Sequence, residues 1–246
     1  MTAEFSFRSA SMASNQIIQG LWIGAHLTIM ERMSIASFLH HGHEYHLYTY
    51  DDVANVPSGT VIKDANEILA GSAIFQYKEY PSYAGFSNFF RYKLLLERGG
   101  WWSDSDIICL RPFDFTDEYV FSSEMYCGKE VTNAGVIKAP AGSDAIAYAW
   151  NVCQKKNPNK LVWGEIGPGL VSEIVKKYRL DNYRKPYYTF CPIPHWHSLL
   201  EPYIAGVHED AYAIHLWNEM WRRNQQDKDA TYHPGCIYEI LKVRYL

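Results

Sequence analysis

"SNFFRYKLLLERGGWWSDSDIICLRPF", residues 87–113, passes from a helical pattern to an extended one across a pair of glycines. The wider stretch 82–100 predicts the strongest helix of the chain. Phe86, Phe89, Phe90, Lys93, Leu94 and Glu97 fall at i, i+3, i+4, i+7, i+8 and i+11, so the core stripe is Phe86, Phe89, Phe90 and Leu94. Gly99-Gly100 end it. "WWSD" then enters a strand end, "DIICL" continues extended, and Trp101 and Trp102 read as packing residues on opposite sides. Between them lie Asp104 and Asp106. On a regular strand, carboxylates at i and i+2 point the same way. Close like charges repel, and one of them would hold a proton. A divalent cation reverses this, because both then stay ionised as oxygen ligands. In open α/β sheets, ligands bind beyond the carboxyl ends of the strands. The spacing therefore fits a metal site for a phosphate-bearing ligand. It fits a solvated Asp-Ser-Asp turn equally well.

Outward from this segment the chain alternates. "IIQGLWIG" (17–24) reads as a buried first strand. Residues 27–42 read as a helix with Ile29, Met33, Ala36 and Leu39 on its apolar face and Gly42 as its stop. "HEYHLYTY" (43–50) is a second strand, and this β-α-β order implies a parallel sheet. Residues 58–70 read as a short strand running into a helix capped by Asp64. Further strands are expected at 120–128, 134–140 and 210–217, and helices at 143–156, 170–178 and 234–246. No repeat or long linker interrupts the pattern. The expected organisation is an N-terminal extension, 1–16, followed by one α/β domain, 17–246, with a mostly parallel central sheet flanked by helices.

The 246 residues are 48% hydrophobic, enough for a full core, and the net charge of −4 argues against a nucleic-acid partner. The 15% aromatic content suits ring stacking and an aromatic core alike. Five widely spaced cysteines without a Cys-x-x-Cys pair speak against a zinc site and for free thiols in a reducing, cytoplasmic setting. No run of about 18 apolar residues is present, and the Ser-rich N-terminus lacks an apolar signal core. A soluble chain without a transmembrane segment is expected, compatible with peripheral membrane association.

The central segment resembles, almost position by position, the DXD segment of a sugar-nucleotide-dependent glycosyltransferase family, whose pattern runs Ser-Asp-x-x-Arg-Tyr-x-x-Leu-x-x-x-Gly-Gly-x-Trp/Tyr-x-Asp-x-Asp. That family includes α-1,4-galactosyl- and N-acetylglucosaminyltransferases and initiating mannosyltransferases, and is distantly similar to the clostridial glucosylating toxins. "GLWIG" (20–24), "NAGVIKAP" (133–140) and "AIHLWN" (213–218) resemble further landmarks in the same order. The resemblance covers residues 17–218. It implies a GT-A-type Rossmann-like fold, a UDP- or GDP-sugar donor, Mn2+ or Mg2+, a glycan or other hydroxyl acceptor, and retention at the anomeric carbon.

Roles follow residue by residue. The resemblance implies metal ligation by Asp106, by Asp104, which also lies against the ribose, and by His215. It implies base stacking by Trp22, with Tyr50 flanking the base, and a place near the β-phosphate for Trp217. Asn133 falls in the donor-side segment. Ser87 and Arg91, four apart on one helix face, match the Ser and Arg of the pattern, and Arg91 can bind phosphate or sugar hydroxyls with its fixed fork. Asn88 departs from the pattern, which has Asp there, and this bears on the donor sugar and on activity itself. Each residue also has a plainer reading: His215 as a satisfied strand histidine, Trp22 as core, Arg91 as a surface ion pair. Glu165, in a Gly-Pro turn resembling the acceptor side, faces the sugar or is an exposed loop carboxylate. His195 and His197 read as an acceptor-side or structural loop. Three other functions remain at this point: a haloacid-dehalogenase-type phosphatase, disfavoured because "GGWWS" replaces its apolar strand; a catalytically silent sugar-nucleotide- or glycan-binding module; and an effector that glycosylates a protein.

Overall fold

The computed structural model describes residues 16–79, 81–194, 196–202 and 207–246. β1 (Ile17–Trp22), α1 (Ile29–His40) and β2 (Glu44–Thr49) form the expected β-α-β unit, with β1 and β2 parallel. β3 (Val61–Asp64) adds in parallel outside β2. α2 (Ala84–Arg98) then returns the chain as β4 (Gly100–Ser103), parallel to β1 on its other side. β5 (Ile107–Cys109) leaves this sheet. The hairpin of β6 (Val120–Tyr126) and β7 (Lys129–Ala139) completes it in the order β3-β2-β1-β4-β7-β6, where β7 alone runs against its neighbours. α3 (Asp144–Gln154), α4 (Pro168–Lys177) and α5 (Tyr187–Phe190) follow. β8 (Ala213–His215) pairs antiparallel with β5, and α6 (Asn218–Arg223) and α7 (Ile237–Tyr245) close the chain. This is the α/β architecture expected, a mostly parallel sheet flanked by helices.

The core is built on both faces of the sheet. Trp102 packs with Phe86, Phe90, Ile146 and Ile174, whereas Trp101 packs with Ile35, Phe38, Tyr45 and Phe113. Each ring removes roughly 200 Å² from water, about 5 kcal/mol as an upper bound. Burial on that scale fixes β4 in the sheet centre and leaves the aspartates that follow at its carboxyl end. Entry to β4 is equally constrained. Gly99 and Gly100 have φ of 63° and 82°, and a Cβ on Gly99 would lie 2.4 Å from the Ala141 backbone nitrogen. Gln19 Nε2 donates to the Gly99 and Trp101 carbonyls at 2.9 and 3.1 Å, tying this turn to β1.

Four expectations are corrected. The apolar face of α1 is not Ile29, Met33, Ala36 and Leu39. Its buried residues include Met30, Met33, Ile35 and Phe38, together with Glu31, Ser34 and Ser37. Sheet residues cover one side, and Ile108, Ile214, Tyr238 and Leu241 from β5, β8 and α7 cover the other. The buried serines are used there: Ser34 Oγ donates to the Ile107 carbonyl at 2.6 Å, and Ser37 Oγ accepts from Cys109 N–H at 2.8 Å, fastening β5 to α1. After β3, the chain makes only a 3-10 turn, Ala65–Glu67, although Asp64 caps it as expected. β7 starts at Lys129 because Cys127 and Gly128, with φ of 48° and 74°, make a two-residue turn of the kind that matches strand twist. α5 and α6 were not anticipated, being too short to show a periodicity.

All five cysteines are free thiols. No helix among the described residues is long and apolar enough to cross a membrane. The expected N-terminal extension lies outside the described residues apart from its last position.

Candidate active site

Asp104 and Asp106 sit in a turn, not on a strand. β4 ends at Ser103, and Ile107 N–H donates back to the Asp104 carbonyl at 3.2 Å. Asp104 Oδ1 accepts from Arg91 Nη2 at 2.6 Å and from Trp102 Nε1 at 2.8 Å, so Trp102 orients the carboxylate as well as packing. Arg91 is on the buried face of α2, 3% exposed, with its guanidinium 5.0 Å from the Trp102 ring centre. The surface-ion-pair reading of this arginine is excluded. Its Nε and Nη1 are buried without a hydrogen-bond partner. Orphaned donors of this kind cost about 1–3 kcal/mol each, a cost that an anionic or hydroxyl-bearing ligand would relieve.

Asp106 is tied to the far end of the chain. Its Oδ2 accepts from Asn218 N–H at 2.7 Å and lies 3.2 Å from His215 Nε2, and its carbonyl accepts from Leu216 N–H at 2.8 Å. Pairing of Ile107 with His215 across β5 and β8 sets this register. Trp217 makes the contact geometrically possible. It adopts a left-handed conformation, φ 58° and ψ 46°, which turns the chain into α6 and presents the Asn218 N–H. A non-glycine residue there costs on the order of 1 kcal/mol. The Trp217 ring is held 4.0 Å from the His215 ring, and its Nε1 donates to the Ile193 carbonyl at 2.9 Å.

Electrostatics divides the pair. Burial raises the Asp104 pKa, and the nearby Asp106 charge raises it further, with Arg91 opposing both. Burial also pushes Asp106 upward, but His215 and the Asn218 N–H outweigh it and hold Asp106 below the usual carboxylate range. For His215, burial lowers the pKa and Asp106 more than reverses this, leaving it well above an ordinary histidine. Asp106 is thus secured by the protein, whereas Asp104 is the carboxylate whose charge is undercompensated.

The donor-side segment adds a third carboxylate. Asn133 Oδ1 accepts from Gly135 N–H at 2.6 Å, and its Nδ2 donates to Glu124 Oε1 at 3.2 Å. Gly135 is required for this cradle: a Cβ there would lie 2.9 Å from Asn133 Oδ1 and 3.5 Å from Asp104 Oδ2. Burial raises the pKa of Glu124, and the charge of His215 and the Asn133 amide oppose this. Nothing in the sequence reading pointed to Glu124. Asn88 is buried, with its amide against Gly167, 3.3 Å from where a Cβ on that glycine would stand.

Residues 21–123 match the family described as a glycosyltransferase sugar-binding region containing a DXD motif. The one Asp-x-Asp in that span is Asp104-Ser105-Asp106. That stretch of the chain is similar to a glycosyltransferase sugar-binding region. The match stops short of β8, so His215 and Trp217 lie outside it. Among solved structures the chain is similar to the PaToxG glycosyltransferase (16% identity, 71% of this chain and 76% of that one, TM-score 0.48). It is also similar to a transferase mutant carrying two cysteine-to-serine changes (12% identity, 68% and 86%, TM-score 0.44). A third is the apo-form glycosyltransferase GlyE of Streptococcus pneumoniae TIGR4 (16% identity, 69% and 44%, TM-score 0.40). No curated protein matches the chain.

The remaining expected residues lie both inside and beyond the matched stretch. Trp22 ends β1, half-buried, with Nε1 donating to the His26 carbonyl at 3.1 Å. It lines a cavity of about 380 Å³ together with Thr28, Asn218, Arg222, Gln226 and Lys228, so one opening connects Trp22 with the residue that binds Asp106. Tyr50 donates its hydroxyl to the Leu69 carbonyl at 2.9 Å and packs near Phe86. Ser87 is half-buried on α2, one turn before Arg91. Glu165 is engaged by Lys156, which lowers its pKa. His197 is exposed, 3.9 Å from Glu201. His195 lies outside the described residues.

The donor set suits a hard cation. The two bonds to Asp104 both fall on Oδ1, and those from Asn218 and His215 both fall on Oδ2 of Asp106, so the opposite oxygens face other surroundings. Carboxylate oxygens are hard ligands of the kind that hold Mg2+, Ca2+ or Mn2+. Among the described residues no three His, Cys, Asp or Glu side chains are already grouped to hold a metal ion. His215 stands in hydrogen-bond contact with Asp106 instead.

Proposed function

We propose that the protein is a metal-dependent, retaining glycosyltransferase of GT-A type that moves a sugar from a UDP-sugar to a hydroxyl of a glycan or other glycosylated acceptor. The observation that carries this reading is the buried guanidinium of Arg91, with two orphaned donors, beside the Asp104–Asp106 turn of a matched glycosyltransferase region. Asp104 and Asp106 would hold Mn2+ or Mg2+, and His215 would join them by exchanging its contact with Asp106 for the cation. When bound, that cation stabilises charge on the departing diphosphate as a Lewis acid, worth several kcal/mol. Arg91 aims its free donors at the same developing charge. Trp22 and its cavity take the nucleoside, and Trp217 flanks the β-phosphate. Asn133, Ser87 and Asn88 bind sugar hydroxyls. The acceptor hydroxyl attacks from the leaving-group side and passes its proton to the diphosphate, which retains configuration without a protein nucleophile. Five free thiols fit a cytoplasmic setting.

The test is nucleotide release by the purified chain from a panel of UDP- and GDP-sugars with manganese. Release from a UDP-sugar, abolished by EDTA, is expected. No release from any donor, with or without acceptors, would leave a binding module and overturn the proposal.

Two substitutions probe the donor pocket. Asn88→Asp places a carboxylate three residues before Arg91 on the same face, within reach of its unpartnered donors. The ranking of UDP-sugars is expected to change with the fold intact, and an unchanged ranking and rate would remove Asn88 from the pocket. Glu124→Gln keeps an acceptor for Asn133 and removes the carboxylate charge. Turnover is expected to fall about 10- to 100-fold, the scale of a lost orienting partner. Wild-type turnover in this variant would mean that Glu124 only tethers Asn133.

A further inference from the structure

Tyr45 buries a hydroxyl without giving it an acceptor. It is the second residue of β2, paired in register with Ile18 of β1, and its ring packs on Phe38 with centres 5.7 Å apart. The side chain is fully buried, and its hydroxyl has no hydrogen-bond partner among the described residues. Gly20 of β1 makes room for it. A Cβ on Gly20 would lie 2.4 Å from the Tyr45 hydroxyl oxygen and 3.1 Å from the Ser103 carbonyl oxygen. The hydroxyl therefore stands over Gly20 on the side where β4 ends, and the residue after Ser103 is Asp104. Burial raises the Tyr45 pKa, and the charges of Asp104 and Asp106 raise it further. At neutral pH the group is a proton donor in the field of both carboxylates.

A buried donor without an acceptor destabilises a chain, and so does glycine inside a strand. Phenylalanine at position 45 would keep the packing on Phe38 and remove the orphaned group. Divalent cations held by one or two carboxylates keep several water ligands, and a second layer of hydrogen bonds orients such a shell. We infer that Tyr45 is a positioning residue of the cation site: its hydroxyl donates to an oxygen of the cation's coordination shell, a bound water or a carboxylate of the aspartate turn. Gly20 is the residue that lets it reach there. This rests on the metal-dependent transferase reading above and adds a residue to that site.

The test titrates Mn2+ into the whole chain, with and without UDP, and counts free Mn2+ by electron paramagnetic resonance, so that affinity is read without turnover. Melting in EDTA gives the stability of the metal-free chain. Tyr45→Phe is expected to weaken manganese binding about tenfold, the scale for an outer-shell partner. It is also expected to raise the melting temperature in EDTA by about 2–4 °C, because an orphaned donor is gone. Loss of packing would not weaken binding and stabilise the metal-free chain together. Tyr48→Phe, on the opposite face of β2, should keep wild-type manganese affinity. Wild-type affinity in Tyr45→Phe, a lower melting temperature in EDTA, or an equal loss of affinity in Tyr48→Phe would each overturn the inference. A wild-type chain that binds no manganese, with or without UDP, would instead remove the parent reading.

Discussion

Lysine in place of Arg91 is expected to leave a folded protein with turnover reduced about 10²–10³-fold, the scale for one lost transition-state donor. Arg91 is 3% exposed and gives one N–H to Asp104, keeping Nε and Nη1 for a ligand. Lysine preserves the positive charge beside Asp104, so the buried carboxylate is not abandoned. It cannot place separate donors on the carboxylate and the substrate at once, because the planar fork is gone. Alanine is a poorer probe, since it would leave Asp104 without its counter-charge and confound activity with stability. Steady-state turnover with circular dichroism as the folding control makes the measurement. Near-normal turnover in a folded lysine variant would mean that Arg91 serves only to neutralise Asp104.

Asp106→Asn should cost more, about 10³-fold or beyond, because it removes a full negative charge from the proposed cation site, where several kcal/mol of stabilisation originate. The substitution is mild structurally. The amide oxygen can still accept from Asn218 N–H, and the β5–β8 pairing of Ile107 with His215 does not depend on the side chain. What is lost is the charge opposite His215 and one oxygen able to bind a cation. Turnover measured against manganese concentration checks this, and a variant with normal manganese dependence would reduce Asp106 to a fastener of the late strand.

The parts of this architecture legible in sequence were those carried by local signals. α2 was read from its phenylalanines and its Gly-Gly stop, and the positive φ of both glycines shows why that stop is obligatory. The central aspartates and His215 were singled out by their neighbours in sequence. The burial of Asn88 and Arg91 was not legible: periodicity counts apolar residues, and polar ones on a buried face look like surface until the opposing elements are known. Glu124 was hidden for a similar reason. Its contact with Asn133 depends on a hairpin register containing a bulge near Ser123, and the Cys127-Gly128 turn that sets the hairpin is not a common turn pair. The error over α1 came from β8 and α7, which cover it from the other end of the chain. In each case the missing information was a contact between distant segments.

Melting of the wild-type chain with UDP, once in manganese and once in EDTA, tests the central claim most directly. Asp104 and Asp106 repel a bare diphosphate, and a cation turns them into its anchor. UDP at about 100 times its dissociation constant adds about 2.7 kcal/mol, which corresponds to a rise of roughly 5–10 °C for a chain of this length. That rise is predicted in manganese and not in EDTA. An equal rise in both, or none in either, would contradict a cation-bridged nucleotide site at these aspartates.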